Sequence, residues 1–472
     1  MILLLTLLLV AAPLPAGQAS PARAHYEAGL RREKAGDLPV AEIEYRQALR
    51  LAPRLARARD RLGFVLGQLG RTAEALDEFR RAAEADPKLF DAQYHLGATL
   101  WWTGDPRSAL IPLRKAVALD ARHAEARYYL GLCLKHEGEV AAALSELREA
   151  LRLNPSIPLA HLQLGVSLQQ MGDVAGAVES LRRAVELDPK SKDARNSLGV
   201  ALMLKGDADE AIATLRALLA EHPEDTEVRQ NLGSALLQKG DLESAVGVYR
   251  DLVARRPDAL AYYNLGLALK QKDDFGASEE ALRKALALDS SLPDPPYTLG
   301  VVLWQTNRPD EAADALRAAI DRKPDYAEAH YLLGTILRAR GDLAGAAEEF
   351  RRTIRDQPGS AEAHLSLGQV LKRQGDAEGA AAAMAEAERL NKKKVDAQAA
   401  AFAVDLAKRR LAANDLPGAM ESLREAVRLA PDMADAHYQL ALALRQQGTR
   451  EEAQTHFAAA QRLAPWLLIP SE

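Results

Sequence analysis

Residues 22–55 read ARAHYEAGLRREKAGDLPVAEIEYRQALRLAPRL, and this stretch decides the fold because the chain repeats it. Gly29, Gly63, Gly97, Gly131, Gly165, Gly199 and Gly233 are spaced 34 residues apart; Gly266 follows after 33, and Gly300, Gly334 and Gly368 resume the interval. A second glycine series starts at Gly36, Gly70 and Gly104, often with Asp directly after it, as in Gly172-Asp173 and Gly341-Asp342. Prolines such as Pro53, Pro87, Pro155 and Pro324 close the units. Each residue has a local reason. The second Gly can adopt the left-handed conformation that ends a helix, and Asn307 and Asn414 replace it with the next most tolerant residue. The Asp can accept hydrogen bonds from free amides opening the next helix. The first Gly, and the later alanines Ala41, Ala75 and Ala109, are small so that two helices can cross closely. Proline cannot continue a helix. Apolar residues between these marks recur every three or four positions. Each unit is therefore expected to be helix, tight turn, helix, terminator.

A 34-residue unit with an aromatic-x-x-L-G start, then A-x-x-x-F/L/Y, then a closing Pro resembles the tetratricopeptide repeat family. That resemblance implies an all-α, right-handed superhelical solenoid. About eleven repeats run in the block 20–394, starting at Ala22. Residues 395–399 interrupt the period after the basic run Lys392-Lys393-Lys394, two further repeats occupy 400–467, and 468–472 form a tail. Ala407 and Ala441 replace the first Gly in the last two repeats.

Composition agrees. Only 5% of residues are aromatic, 27% are charged and the formal net charge is -5, so no basic excess points to nucleic acid. The lone Cys133 excludes an intrachain disulfide. Residues 1–19 read as a secretory signal: Met1 to Val10 are apolar except Thr6, and Gly17 and Ala19 provide small residues before a cleavage at Ser20. No Lys or Arg precedes the apolar run, a departure from the usual pattern. The expected location is outside the cytoplasm, periplasmic or secreted after cleavage near Ala19.

No P-loop, nucleophile elbow or zinc-protease motif occurs, and the repeats leave no stretch for a catalytic domain. The chain is accordingly expected not to be an enzyme and to need no cofactor or metal. His25, His161, His330, His364 and His437 share one repeat slot and read as packing residues, since stacked helices lie about 8–10 Å apart and zinc needs donors within about 2.3 Å. Cys133 reads as a small buried hydrophobe.

In the family the first helix of each repeat lines the groove, which implies a groove position for Tyr94, Tyr128, Tyr263, Tyr297 and Tyr331. Two turns on come Trp101, Lys135, Lys270, Trp304 and Arg338, with Trp102 beside Trp101. The same tyrosines serve packing in many repeats. Leu30, Phe64 and Ala98 stand where a carboxylate clamp for chaperone C-termini would place Asn, so that specificity is not expected. Lys392–Lys394 with Lys408, Arg409 and Arg410 read as a solvated helix end or loop rather than an acidic-partner patch. The function expected is a protein–protein interaction scaffold holding a peptide or partner helix, with no nucleic acid and no evident small-molecule substrate. Two alternatives are a component of an envelope assembly or an exopolysaccharide or protein export machine, and a regulatory subunit of a separately encoded enzyme. The apolar end Trp466-Leu467-Leu468-Ile469 also suggests self-association through an uncapped C-terminus.

Overall fold

A computed structural model describes residues 20–464, 466, 467 and 469. The signal-like segment 1–19, and Pro465, Leu468 and residues 470–472 of the C-terminal end, lie outside the described residues. The described residues form 25 α-helices and no strand, in two compact units divided between Ala201 and Leu202.

Within each unit the expected turn recurs. Gly36, Gly104 and Gly341 have φ of 78°, 82° and 85°, and Asn307 and Asn414 take the same conformation at 59° and 60°. Asp273 does so as well, at 62°, in the repeat whose glycine interval is one residue short. The following Asp then caps the second helix: Asp173 Oδ1 accepts from the Gly176 amide at 2.9 Å and Asp342 Oδ1 from the Gly345 amide at 2.9 Å. The first glycines mark close helix crossings. A Cβ on Gly97 would lie 2.5 Å from Leu113 Cγ, and one on Gly29 would lie 2.5 Å from the Tyr45 ring.

The histidine slot has a shared geometry. His161, His330, His364 and His437 each set Nε2 against the carbonyl of the proline six residues earlier, at 3.0–3.3 Å. Arg59 donates to Pro53 O in the same way, at 2.8 Å. These bonds satisfy the carbonyl that the proline leaves exposed at the start of a helix. The other side of the slot meets a carboxylate nineteen residues on: His25–Glu44 at 2.6 Å, Arg59–Glu78 at 2.8 Å, Arg127–Glu146 at 2.7 Å and His330–Glu349 at 2.5 Å.

The third residue of each repeat shows how repeats stack. Ala58, Ala92, Ala126, Ala160, Ala329 and Ala363 are 0% exposed there, whereas Ala24 in the first repeat, before which no helix pair stands among the described residues, is exposed. The tenth position behaves alike. Val65, Cys133, Val302, Ile336 and Val370 are buried, while the first repeat has the exposed Arg31. Burial at both positions is supplied by the preceding repeat.

The basic residues divide: Arg409 and Arg410 lie in the last turn of a helix, as expected, whereas Lys392–Lys394 lie in its middle, contrary to the expectation. A single 36-residue helix, Ala377–Ala412, spans residues 395–399 and fuses the second helix of one repeat to the first helix of the next. The reason is local: from Asn391 to Ala399 there is no Pro or Gly, and Lys392 and Asp396 pair across one turn at 2.8 Å. The helix buries Ala380, Ala383 and Ala387 in its first part and Ala400, Val404 and Ala407 in its second. The second set belongs to a separate core containing Leu423, Leu440 and Phe457.

Candidate protein-binding face

The candidate residues stand on the first helices, and their surroundings divide them. In the N-terminal unit Tyr94 is 1% exposed and its hydroxyl donates to Glu125 Oε2 at 2.7 Å. Tyr128 is also buried, stacked obliquely on Tyr129. These two expected groove residues offer almost no ring surface, because neighbouring aromatic rings cover them. His123, at the end of one repeat, covers Tyr94 and Phe90 with centroids 4.8 and 4.7 Å away. Trp102 remains 60% exposed, its indole N–H donating to the Tyr129 hydroxyl at 3.0 Å, and Trp101 is half-buried. Lys135 is half-buried too; its ammonium donates to the neutral Gln163 Oε1 at 2.9 Å, and burial lowers its pKa.

Next to these rings lies a charged cluster that sequence reading missed. Asp60 (2% exposed) and His95 form a pair at 2.8 Å, and Arg61 Nη2 meets Glu33 Oε1 at 2.9 Å. The Tyr45 hydroxyl donates to Glu33 Oε2 at 2.6 Å. Burial raises the pKa of Glu33, and burial together with the Asp60 charge raises that of Asp91. Burial opposes the charge on His95, yet the Asp60 carboxylate outweighs it and raises the His95 pKa. The residues come from three repeats, which is why no local motif announces them.

In the C-terminal unit Tyr263, Lys270, Tyr297, Trp304, Tyr331 and Arg338 are all partly exposed, so each retains surface for a partner. Tyr297 stacks on Tyr326 at 4.8 Å, and the Tyr326 hydroxyl donates to Asp294 Oδ1 at 2.8 Å. Tyr326 and His123 occupy the same place, the last residue of a repeat, and each covers a tyrosine of the first helix just before it. Tyr331 and Ser366 hydroxyls approach to 3.4 Å, and Arg338 donates to Gln369 Oε1 at 2.9 Å. Lys270 differs. Burial lowers its pKa, and no group among the described residues pairs with its ammonium. The basic run offers less free charge than its sequence suggests, since Lys393 pairs with Asp432 and Lys408 with Asp435 at 2.8 and 2.9 Å.

Comparison with known proteins follows the same division into repeats. Profiles described as tetratricopeptide repeat match residues 26–90, 94–158, 159–191 and 434–465, and one described as TPR repeat matches 407–448. The profile of the cilia and flagella-associated protein 70 C-terminal domain matches residues 194–404. No curated protein sequence matches. Similar solved structures include YrrB, a TPR protein with an unusual peptide-binding site, at 29% identity over 37% of this chain and 89% of that one, with a TM-score of 0.34. MamA is 27% identical over 35% of this chain and 96% of its own, with a TM-score of 0.33. PilF of Pseudomonas aeruginosa is 20% identical over 44% and 95%, with a TM-score of 0.39. With helix pairs in register and tetratricopeptide repeat profiles matching within residues 26–191 and 407–465, the chain belongs to the tetratricopeptide repeat family.

Proposed function

We propose that this chain is a non-enzymatic scaffold outside the cytoplasm that holds an acidic, aromatic-bearing segment of a partner protein against the first-helix face of its C-terminal unit. The observation that carries the reading is Lys270: a half-buried ammonium without a carboxylate, on a face shared with Tyr263, Tyr297 and Trp304. Such a cation is stabilised when a partner supplies the missing anion, and exposed aromatic surface supplies apolar area at little rotamer cost. In the N-terminal unit Trp101, Trp102 and Lys135 form a smaller version, where Gln163 satisfies the lysine only with a neutral oxygen. Export rests on the sequence of residues 1–19.

Crosslinking pull-down from envelope and soluble fractions, comparing wild type with a Trp101→Ala/Trp304→Ala variant, tests the reading. Partners captured by wild type and lost by the folded variant support it. The same partners in both would move binding to another face. Mass spectrometry of the purified chain tests export, with Ser20 as the expected N-terminus.

A further inference from the structure

Val395 and Phe402 are 62% and 69% exposed on helix Ala377–Ala412, and seven residues place them two turns apart on one face with Ala399 between. Phe402 is the third residue of its repeat, the position at which Ala58, Ala92 and Ala329 are completely covered by a preceding helix pair. Here that covering pair is missing, because the preceding second helix is the same continuous helix. Exposed aliphatic and aromatic surface of this kind marks an interaction site.

The charges around the stripe identify its occupant. Running outward from the midpoint between Gln398 and Ala399, Val395 mirrors Phe402, Lys392 mirrors Asp405 and Glu388 mirrors Arg409. At these positions each charge faces its opposite; the like-charged Arg389 and Lys408 also mirror each other, but both are engaged within the chain, with Glu386 and Asp435. Glu388, Asp405 and Arg409 are exposed and have no ion pair among the described residues. A sequence with this mirror pattern is complementary to an antiparallel copy of itself, as an isologous two-fold contact requires. We propose that this face pairs with the same face of a second copy of the chain, antiparallel about an axis at Gln398–Ala399. Val395 of each copy then covers Phe402 of the other, and two Glu388–Arg409 pairs close the ends. This interface is independent of the partner-binding face above.

Sedimentation equilibrium of the purified chain, with variants at these exposed positions, is the test. The wild type is expected to dimerise reversibly, and Phe402→Lys to weaken the dimer by about a hundredfold or more in Kd. Glu388→Arg and Arg409→Glu each place like charges opposite one another at both ends and should each weaken it by about tenfold. The double variant restores both pairs with reversed sign and should return Kd to within about threefold of wild type. Circular dichroism and melting confirm that each variant is folded. A wild type that stays monomeric, or a dimer unmoved by Phe402→Lys, overturns the proposal. Single variants that weaken the dimer without rescue by the double variant overturn the antiparallel register.

Discussion

His437 and His456 face each other with their Nδ1 atoms 2.9 Å apart, at the nineteen-residue spacing where four other repeats pair a base with a carboxylate. His437 Nε2 lies 3.1 Å from the Pro431 carbonyl, which fixes the proton on that nitrogen and leaves Nδ1 to accept from His456. Burial and the facing His437 lower the pKa of His456. At His330 burial opposes the charge, but the hydrogen bond it donates to the Glu349 carboxylate outweighs it and the pKa is raised.

The two pairs therefore respond to acid with opposite sign. A lowered histidine pKa means that the unfolded chain binds more protons, so the His456 contribution is complete above about pH 6.5 and falls away as pH drops below it. The raised pKa of His330 gives a contribution that is complete below about pH 6.5 and is lost as pH rises through the folded value. His456→Glu should abolish the acid loss in the last repeat. Urea unfolding of both proteins between pH 5 and 8, followed by hydrogen exchange in residues 434–463, checks this. An unchanged pH profile in the variant contradicts it.

Gly97→Ala should cost about 1–3 kcal/mol, because the new methyl collides with Leu113 inside a packed crossing. Gly36→Ala meets nothing within 4 Å and pays only for its φ of +78°, about 1 kcal/mol. Comparing the two by denaturant melts separates overpacking from backbone strain.

Asp60→Asn removes a buried charge from His95 and should destabilise the N-terminal unit by about 3 kcal/mol at pH 6. The loss should shrink as pH rises, since the raised His95 pKa makes the pair's contribution fade through its own titration. Thermal melts at pH 6 and pH 9 read the difference.

Lys270→Glu should weaken partner binding by about tenfold while leaving the melting temperature nearly unchanged, and Trp304→Ala should act in the same direction. Calorimetric titration with a captured acidic peptide is the measurement. A Kd unaffected by both substitutions would place the partner elsewhere.

Ala399→Pro should cost about 3 kcal/mol, because it removes a hydrogen bond and adds a clash inside a continuous helix. Far-UV circular dichroism and limited proteolysis should report the break near residues 395–399.

The period was legible because every mark in it is a local requirement: φ > 0 at Gly36, a cap at Asp173, a close crossing at Gly97. The fate of 395–399 was less so. A break in spacing looked like a break in structure, although the residues themselves favour helix. Exposed Arg409 at the tenth position, matching Arg31 in the first repeat, was a readable sign that repeat stacking starts afresh there. The groove residues were only partly legible. Register places Tyr94 and Tyr297 identically, but their exposure depends on which side chains from adjacent repeats cover them, and that varies from repeat to repeat. The Asp60–His95 and Glu33–Arg61 pairs join residues 35 and 28 positions apart, beyond any motif.

The long helix also governs how the molecule comes apart. Elsewhere a repeat can peel from its neighbour by parting side chains at a turn. Between Ala377 and Ala412 the two blocks share one uninterrupted ladder of backbone hydrogen bonds, so disorder in either must fray that ladder or stop inside it. A protease or a pulling force acting on the last two repeats would thus be felt by the buried alanines of the repeat before them, through the backbone itself.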